Sequence, residues 1–315
     1  MASIRTHRMI HQHTLSRPTF PSTLALLRRA AILCLMLVMA GCSTTSTLQP
    51  PEPVNLPGKA SRYSELVIDA SSGATLRQID ATAMRYPASL TKMMTLYLMF
   101  EALDQGRVSK SSQIPVSSNA ARQPPSRVGL KAGQTIDVDT AIRALAVKSG
   151  NDVAVAVGEF LGGGSEEQFA RQMTARARQL GMSATTFRNA SGLPDDEQRT
   201  TARDMAMLGL ALRSRFPQHF HYFSDREFAY NGRTIRGHND LLGRVPGVDG
   251  IKTGYIRASG YNIVTSVSTG SRRLIIVVMG ADSARARNAR VEALIGQFRT
   301  ATASGGVLGS LFANN

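Results

Sequence analysis

The body of this 315-residue chain lacks cysteine. Cys34 and Cys42 are the only two, and both lie near the N-terminus. A disulfide framework and a cysteine-based zinc site are therefore excluded from the rest of the chain. Lysine is also scarce. Lys59, Lys92, Lys110, Lys131, Lys148 and Lys252 are all there are among 37 basic residues. Arginine does not give up its proton near neutral pH, so a chain that takes its charge from arginine makes each remaining lysine a candidate for chemistry. No basic run interleaves with aromatic residues, so the net charge of +15 does not read as a nucleic-acid surface. Five arginines (Arg5, Arg8, Arg17, Arg28 and Arg29) precede residue 42 with no acid among them, and removing them leaves about +10. That balance fits a basic surface facing anionic surroundings. No metal-binding pattern stands out: His219 and His221 are two apart, His238 stands before Asn239–Asp240, and neither group has a third ligand at metal spacing. Asp195–Asp196–Glu197 reads as a polar loop after Pro194. No cofactor is expected.

What is present begins with a leader. Arg28–Arg29 precede an apolar run, Ala30 to Ala40, that ends in Gly41–Cys42. A positive start, an apolar stretch of this length and a small-residue exit form a signal peptide over 1–41. The run is short for a membrane-spanning helix. The string Leu37-Val38-Met39-Ala40-Gly41-Cys42 resembles a bacterial lipobox, in which the cysteine is lipidated and becomes the mature N-terminus. The alternative is an ordinary signal peptide, and the long stretch before Arg28 leaves Met9 open as the start. Residues 42–57 are rich in Ser, Thr and Pro and read as a disordered tether. Extended, it spans about 50 Å. The expectation is an exported chain held at a membrane by a lipid on Cys42, with a folded domain over 58–300 and a flexible tail over 301–315.

The folded part has about 245 residues, enough for one large domain with a real core. Ser64 to Ala70 alternates, turns at Ser71-Ser72-Gly73 and returns over Ala74 to Asp80, a hairpin. Leu90 to Leu103, Val138 to Val147, Asp152 to Leu161, the stretch after Ser165 to Leu180, and Thr201 to Arg213 read as helices, with Ser165 and Gln168 at capping-box spacing. Glu227 to Ile235 reads as a hairpin around Asn231–Gly232. Val248 to Tyr255, Tyr261 to Val267 and Leu274 to Met279 read as strands, and Ala284 to Phe298 as a closing helix. The expected class is α/β of the α+β kind: an antiparallel sheet built from both ends of the body, flanked by helices, with an inserted helical lobe.

Three short motifs follow one another: Ser89-Leu90-Thr91-Lys92, Ser149-Gly150-Asn151 and Lys252-Thr253-Gly254. Each has an ordinary explanation when it stands alone. A Ser and a Lys three apart are common, Ser-Gly-Asn suits a helix–helix junction, and a strand lysine usually faces solvent. Their chemistry is nevertheless coherent. Ser and Lys three apart on a helix share a face, and a serine hydroxyl needs a base to become a nucleophile. Lys92 serves if burial and a second cation, Lys252, destabilise its ammonium. Ser149 then relays a proton, and Asn151 offers an amide to a substrate backbone. A strand carrying Lys252, Thr253 and Gly254 pairs with an extended peptide and holds its terminal carboxylate. The N–H groups of Ser89 and Tyr255 would form the oxyanion hole.

Taken in order, these motifs resemble the serine D-Ala-D-Ala carboxypeptidases, the low-molecular-mass penicillin-binding proteins. The likeness runs from about residue 58 to 300. It includes Tyr86-Pro87-Ala88-Ser89-Leu90-Thr91-Lys92-Met93-Met94-Thr95, Gly129-Leu130-Lys131-Ala132-Gly133, Asn189-Ala190-Ser191-Gly192-Leu193-Pro194, Thr201-Ala202-Arg203-Asp204-Met205 and Gly250-Ile251-Lys252-Thr253-Gly254-Tyr255. The resemblance implies the fold shared with β-lactamases, an acyl-enzyme on Ser89 with Lys92 as base, peptidoglycan stem peptides as substrate and β-lactams as covalent inhibitors. It also implies an arginine that meets the terminal carboxylate. Arg287 stands at the matching offset, with Arg285 and Arg290 close by. A second β-rich domain and a C-terminal amphipathic anchor, frequent in the family, are not expected here. The rival readings are a D,D-endopeptidase, a β-lactamase and, from another class, an inactive wall-binding lipoprotein. No E-x-x-L-N string follows Asn151, which weighs against the lactamase. An intact Ser89, Lys92 and Lys252 weighs against an inactive protein.

Overall fold

The computed structural model of the protein describes residues 62–270 and 272–299. The leader, Cys42, the tether and the tail lie outside the described residues. No helix among the described residues is long and apolar enough to cross a membrane.

The sheet is assembled from both ends of the body. Strands β1 (Ser64–Asp69) and β2 (Thr75–Ile79) form the expected hairpin, and β7 (Val248–Ile256), β8 (Gly260–Thr269) and β9 (Arg272–Ala281) come from the last third. Their order is β2-β1-β9-β8-β7, and every pairing is antiparallel. The N-terminal strand thus closes against β9, which leaves β7 at one edge. Two further two-stranded sheets are present: β3 (Gln113–Pro115) with β4 (Thr135–Asp137), and the hairpin of β5 (Glu227–Tyr230) with β6 (Arg233–Arg236).

The alternation of β1 predicts one buried and one solvated face, but all six of its residues are buried. The reason is that both faces of the sheet are covered. Leu66 and Ile68 of β1, with Ile275, Val277 and Met279 of β9, join the large core under the helical lobe. Val67, with Leu274, Ile276 and Val278, joins a second core under the closing helix Ala284–Phe298. Leu66, Val67 and Ile68 accordingly form a continuous apolar run, and the buried carboxylates at its ends are paired, Glu65 with Arg77 and Arg290 and Asp69 with Arg272.

The helical lobe lies between β2 and β5. It contains α1 (Lys92–Asp104), α2 (Ser118–Ala121), α3 (Val138–Arg143), α4 (Asn151–Leu161), α5 (Glu166–Gln179) and α6 (Ala202–Arg215), and α7 is the closing helix. Helix α1 is buried almost all round, so it threads the lobe as a central post. Side-chain caps fix the starts of α5, α6 and α7: Ser165 accepts from the Gln168 N–H, Thr201 from Asp204 and Ser283 from Ala286. The helix expected to run regularly to Val147 does not do so. After Arg143 the backbone widens into a π-turn over Ala144–Lys148, which ends with Ser149 in the left-handed region at φ 60°. Such turns concentrate at functional positions.

Candidate active site

Ser89 lies on a 3₁₀ turn, Ala88–Thr91, that leads directly into α1. The preceding Ala88 has φ +50°, an uncommon conformation for a residue with a side chain. It persists because the turn is wedged between two close neighbours. A Cβ on Gly192 would come within 1.9 Å of the Ala88 carbonyl oxygen, and one on Gly254 within 3.0 Å of the Ser89 nitrogen. The space that a side chain at position 254 would need is taken by the turn carrying Ser89.

Lys92, one helical turn on, has no exposed surface. Its Nζ donates to Ser89 Oγ (3.1 Å), to Asn151 Oδ1 (2.8 Å) and to the Ser191 carbonyl (2.5 Å). Burial first, and then the Lys252 cation, hold the Lys92 amine well below the ordinary lysine range, while Asp152 and Glu166 pull the other way. A lysine so placed is available as a neutral base beside the serine.

The middle motif supplies two different groups. Asn151, at the start of α4, accepts from Lys92 and donates through Nδ2 to the Pro124 carbonyl at 3.0 Å. One N–H of its amide stays available to a substrate, and its carbonyl end orients the base. The Ser149 hydroxyl is buried with no hydrogen-bond partner among the described residues. Ser149 stands two residues before Asn151, which holds Lys92. The backbone here is held by the Asp152 carboxylate, which accepts the N–H groups of Val128, Gly129 and Leu130 at 2.8–3.2 Å.

On the other wall stands β7. Lys252 and Thr253 are buried. Lys252 Nζ donates to the Thr253 carbonyl at 3.0 Å. Burial and the Arg287 guanidinium push its pKa down to about 7. Of the three arginines on α7, Arg287 is the one at the site: it is 3 % exposed, and burial lowers its pKa to about 10, with Asp240 opposing. Its guanidinium donates to Asn288 Oδ1 and, at 3.5 Å, to the Asn262 carbonyl. Arg290 is instead spent on Glu65, and Arg285 is exposed. Tyr255 is half exposed and packs on Tyr261 with ring centroids 4.4 Å apart.

Several contributors carry no sequence signal. Asn262 on β8 donates to the carbonyls of Tyr86 and Pro87 and accepts the Gly280 N–H, tying the serine turn to the sheet. Glu166 accepts the Ala190 N–H. It thereby steadies the loop whose Ser191 carbonyl holds Lys92, and burial raises its pKa. The groups set aside in the sequence also have ordinary partners: His219 pairs with Asp104 and stacks on Phe100, His221 meets the Gln218 carbonyl, and Glu197 pairs with Arg188.

A serine and a buried lysine on one helix, facing a Lys-Thr-Gly edge strand of an antiparallel sheet, define the serine penicillin-binding fold. Within that class, the chain belongs to the D-alanyl-D-alanine carboxypeptidase family of serine peptidases (Peptidase S11), whose model matches residues 51–283. It is 36% identical over 239 residues to the D-alanyl-D-alanine carboxypeptidase DacA of Escherichia coli, covering 74% of this chain and 59% of that protein. The crystal structure of penicillin-binding protein 5 from Haemophilus influenzae superposes with a TM-score of 0.72 at 32% identity, covering 78% of this chain and 72% of that one. Penicillin-binding protein D2 of Listeria monocytogenes, in its cefotaxime-bound form, superposes with a TM-score of 0.68 at 30% identity over 76% of this chain and 98% of that one. The chain spans about 60% of the length of the first curated relatives that it matches.

Proposed function

We propose that this chain is a serine D-Ala-D-Ala carboxypeptidase that trims peptidoglycan stem peptides through an acyl-enzyme on Ser89 and is acylated by β-lactams at the same residue. The observation that carries this reading is the 3.1 Å contact between Lys92 Nζ and Ser89 Oγ in a fully buried, doubly cationic setting. Neutral Lys92 takes the Ser89 proton as Oγ attacks the penultimate D-Ala carbonyl. The N–H groups of Ser89 and Tyr255 receive the oxyanion. The C–N bond then breaks, the leaving D-alanine amine takes a proton through Ser149, and water hydrolyses the Ser89 ester. Lys252, Thr253 and Arg287 meet the terminal carboxylate, and Asn151 meets the acyl chain. No metal or cofactor enters this scheme.

The same reading includes export by the 1–41 leader, lipidation at Cys42 and a tether over 42–57. Together these place the catalytic body of residues 58–300 at a membrane face of the periplasm or cell envelope. A fluorescent penicillin should label the native protein and not Ser89→Ala, and pentapeptide muropeptides should lose D-alanine. Label retained by Ser89→Ala would overturn the mechanism, and rapid penicillin turnover would move the assignment to a β-lactamase.

A further inference from the structure

A cavity of about 460 Å³ adjoins Lys252 and Thr253 on one wall of the cleft. On the other wall, behind Lys92, stands an acidic residue that the proposed mechanism does not use. Glu166 opens α5 and is half-buried. Its carboxylate accepts the Ala190 N–H at 3.0 Å and pairs with no cation among the described residues. Its neighbour Glu167 differs: it is exposed and pairs with Arg171 one turn on. A half-buried carboxylate without a cation is costly, and the one loop it bonds is the loop that holds Lys92.

That loop is pinned on both sides of one residue. The Ala190 N–H goes to Glu166 of α5, and the Ala190 carbonyl accepts the Thr95 hydroxyl of α1 at 2.8 Å. Helix α4 packs against the same place: a Cβ on Gly158 would lie 3.0 Å from the Ala190 Cβ and 3.4 Å from the Glu166 Cγ. The next carbonyl, that of Ser191, takes Lys92 Nζ at 2.5 Å. Asn189 Oδ1 accepts the N–H groups of Ser191 and Gly192 and fixes the turn beyond it. Glu166 also acts on the amine by its charge. Facing Lys92 are Ser89, Asn151, the Lys252 cation on β7, and two carboxylates, Asp152 on α4 and Glu166 on α5. Burial and Lys252 push the proton off, and the two carboxylates hold it on. Asp152 is already engaged with the N–H groups of Val128, Gly129 and Leu130. The charges facing Glu166 are Glu159 on α4 and Lys92 itself.

We propose that Glu166 is a positioning residue for acyl transfer: through the Ala190 N–H it sets the Ser191 carbonyl against Lys92, and it supplies negative charge behind the base. This role rests on the proposed acyl transfer at Ser89 and deepens it. The carboxylate bonds the loop and not the reacting atoms. Its two contributions are separable by chemistry. A glutamine keeps an oxygen for the Ala190 N–H but carries no charge. An alanine keeps neither. With the charge gone, the ammonium form of Lys92 loses an attraction and gives up its proton at lower pH. The neutral base then persists further into acid, and the acid limb of acylation follows it.

The test is stopped-flow acylation by benzylpenicillin across a pH series, on the full chain and its variants. Glu166→Gln should keep the plateau rate to within about threefold, while its rate at pH 6 relative to that plateau rises by about threefold or more. Glu166→Ala should lose about tenfold or more on the plateau, because the Ser191 carbonyl is no longer held. Glu167→Gln removes a charge from the same helix end and should match wild type in both respects. Glu166→Gln with the wild-type pH profile overturns the charge, and Glu166→Ala with the wild-type plateau overturns the hold on Ser191. An acid limb that moves as far in Glu167→Gln as in Glu166→Gln would assign the effect to the helix end and overturn the proposal. Destabilisation alone would lower the fraction of protein acylated and leave the acid limb where it is, so the Glu166→Gln profile decides even if Glu166→Ala does not fold. Wild-type protein that benzylpenicillin does not acylate at all would instead overturn the underlying reading of Ser89.

Discussion

The two walls of the cleft each bury a lysine, and they treat it differently. Lys92 sits in a closed set of neutral acceptors: a hydroxyl, an amide oxygen and a main-chain carbonyl. Lys252 meets a single carbonyl, that of its own neighbour, with the Arg287 cation near it and the large cavity beside it. Among the described residues, neither has a carboxylate hydrogen-bonded to its amine. A buried ammonium without a counter-ion is destabilised, and two of them in one cleft destabilise each other. The difference in neighbours separates their uses. The first lysine is held by two fixed acceptors against the Ser89 hydroxyl, which suits the proposed role of a neutral amine that takes the Ser89 proton and passes it on. The second is left under-coordinated, so it is built to receive an anion. In the proposed mechanism one cleft thus obtains a base and an anion site from the same residue type.

Replacing each lysine by arginine breaks the comparison most directly. Arginine keeps the charge and does not give up its proton. Lys92→Arg should lower the rate of penicillin acylation by about 10³-fold or more, the scale of a lost general base. Lys252→Arg should lose only about tenfold, because a cation still faces the carboxylate. Stopped-flow acylation of both variants decides it. Equal losses would mean that the two lysines share one role.

Gly254 joins the walls, and its substitution comes next in size. A Cβ there lies 3.0 Å from the Ser89 nitrogen and 3.1 Å from Leu90 N, so Gly254→Ala must push the serine turn and β7 apart. A displacement of this kind misplaces the oxyanion donors, and losing one such donor costs about 10²-fold. The expected loss is about 10- to 100-fold in acylation with the fold retained, measured together with circular dichroism. A silent Gly254→Ala would show that the walls do not need to touch.

Each of these two walls was legible in the sequence only in part. Ser89 with Lys92, and Lys252 with Thr253 and Gly254, stood out because each set lies within a few residues and its chemistry follows from local spacing. The strands, the major helices and the Ser165 cap were legible for the same reason. What tightens the site is long-range and mostly main-chain: the Ser191 carbonyl on Lys92, Asn262 on the Tyr86 and Pro87 carbonyls, and Glu166 on the Ala190 N–H. A backbone acceptor has no residue identity to read. The π-turn before Ser149 was hidden in a run of good helix formers, and the double burial of β1 depended on α7, which arrives more than two hundred residues later.

The shared electrostatic cost should also appear in stability. Lys252 has a folded pKa near 7, against about 10.4 when unfolded. Between those values the unfolded chain holds the proton and the folded chain does not, so stability rises with pH across that window. Below pH 7 the folded protein bears the full penalty of a buried ammonium. Lys252→Met should therefore raise Tm by about 3 °C or more at pH 6, and by less at pH 10. A Tm gain that is equal at both pH values would show that packing, and not charge, is responsible.

The smallest effect belongs to Tyr255, and it tests which end of β7 serves which part of the substrate. Its ring is half exposed, rests on Tyr261 and is not part of the large cavity. If Lys252 and Thr253 face the leaving group, then Tyr255 faces the acyl strand. Its backbone N–H, to which the proposed mechanism assigns the oxyanion, survives any side-chain substitution. Tyr255→Ala should therefore remove only an apolar platform, worth about 0.5–1.5 kcal/mol or roughly two- to tenfold in affinity. KM for a pentapeptide should rise by that factor while kcat holds. A Tyr255→Ala variant that lowered kcat and left KM alone would reverse the direction assigned to the peptide along β7.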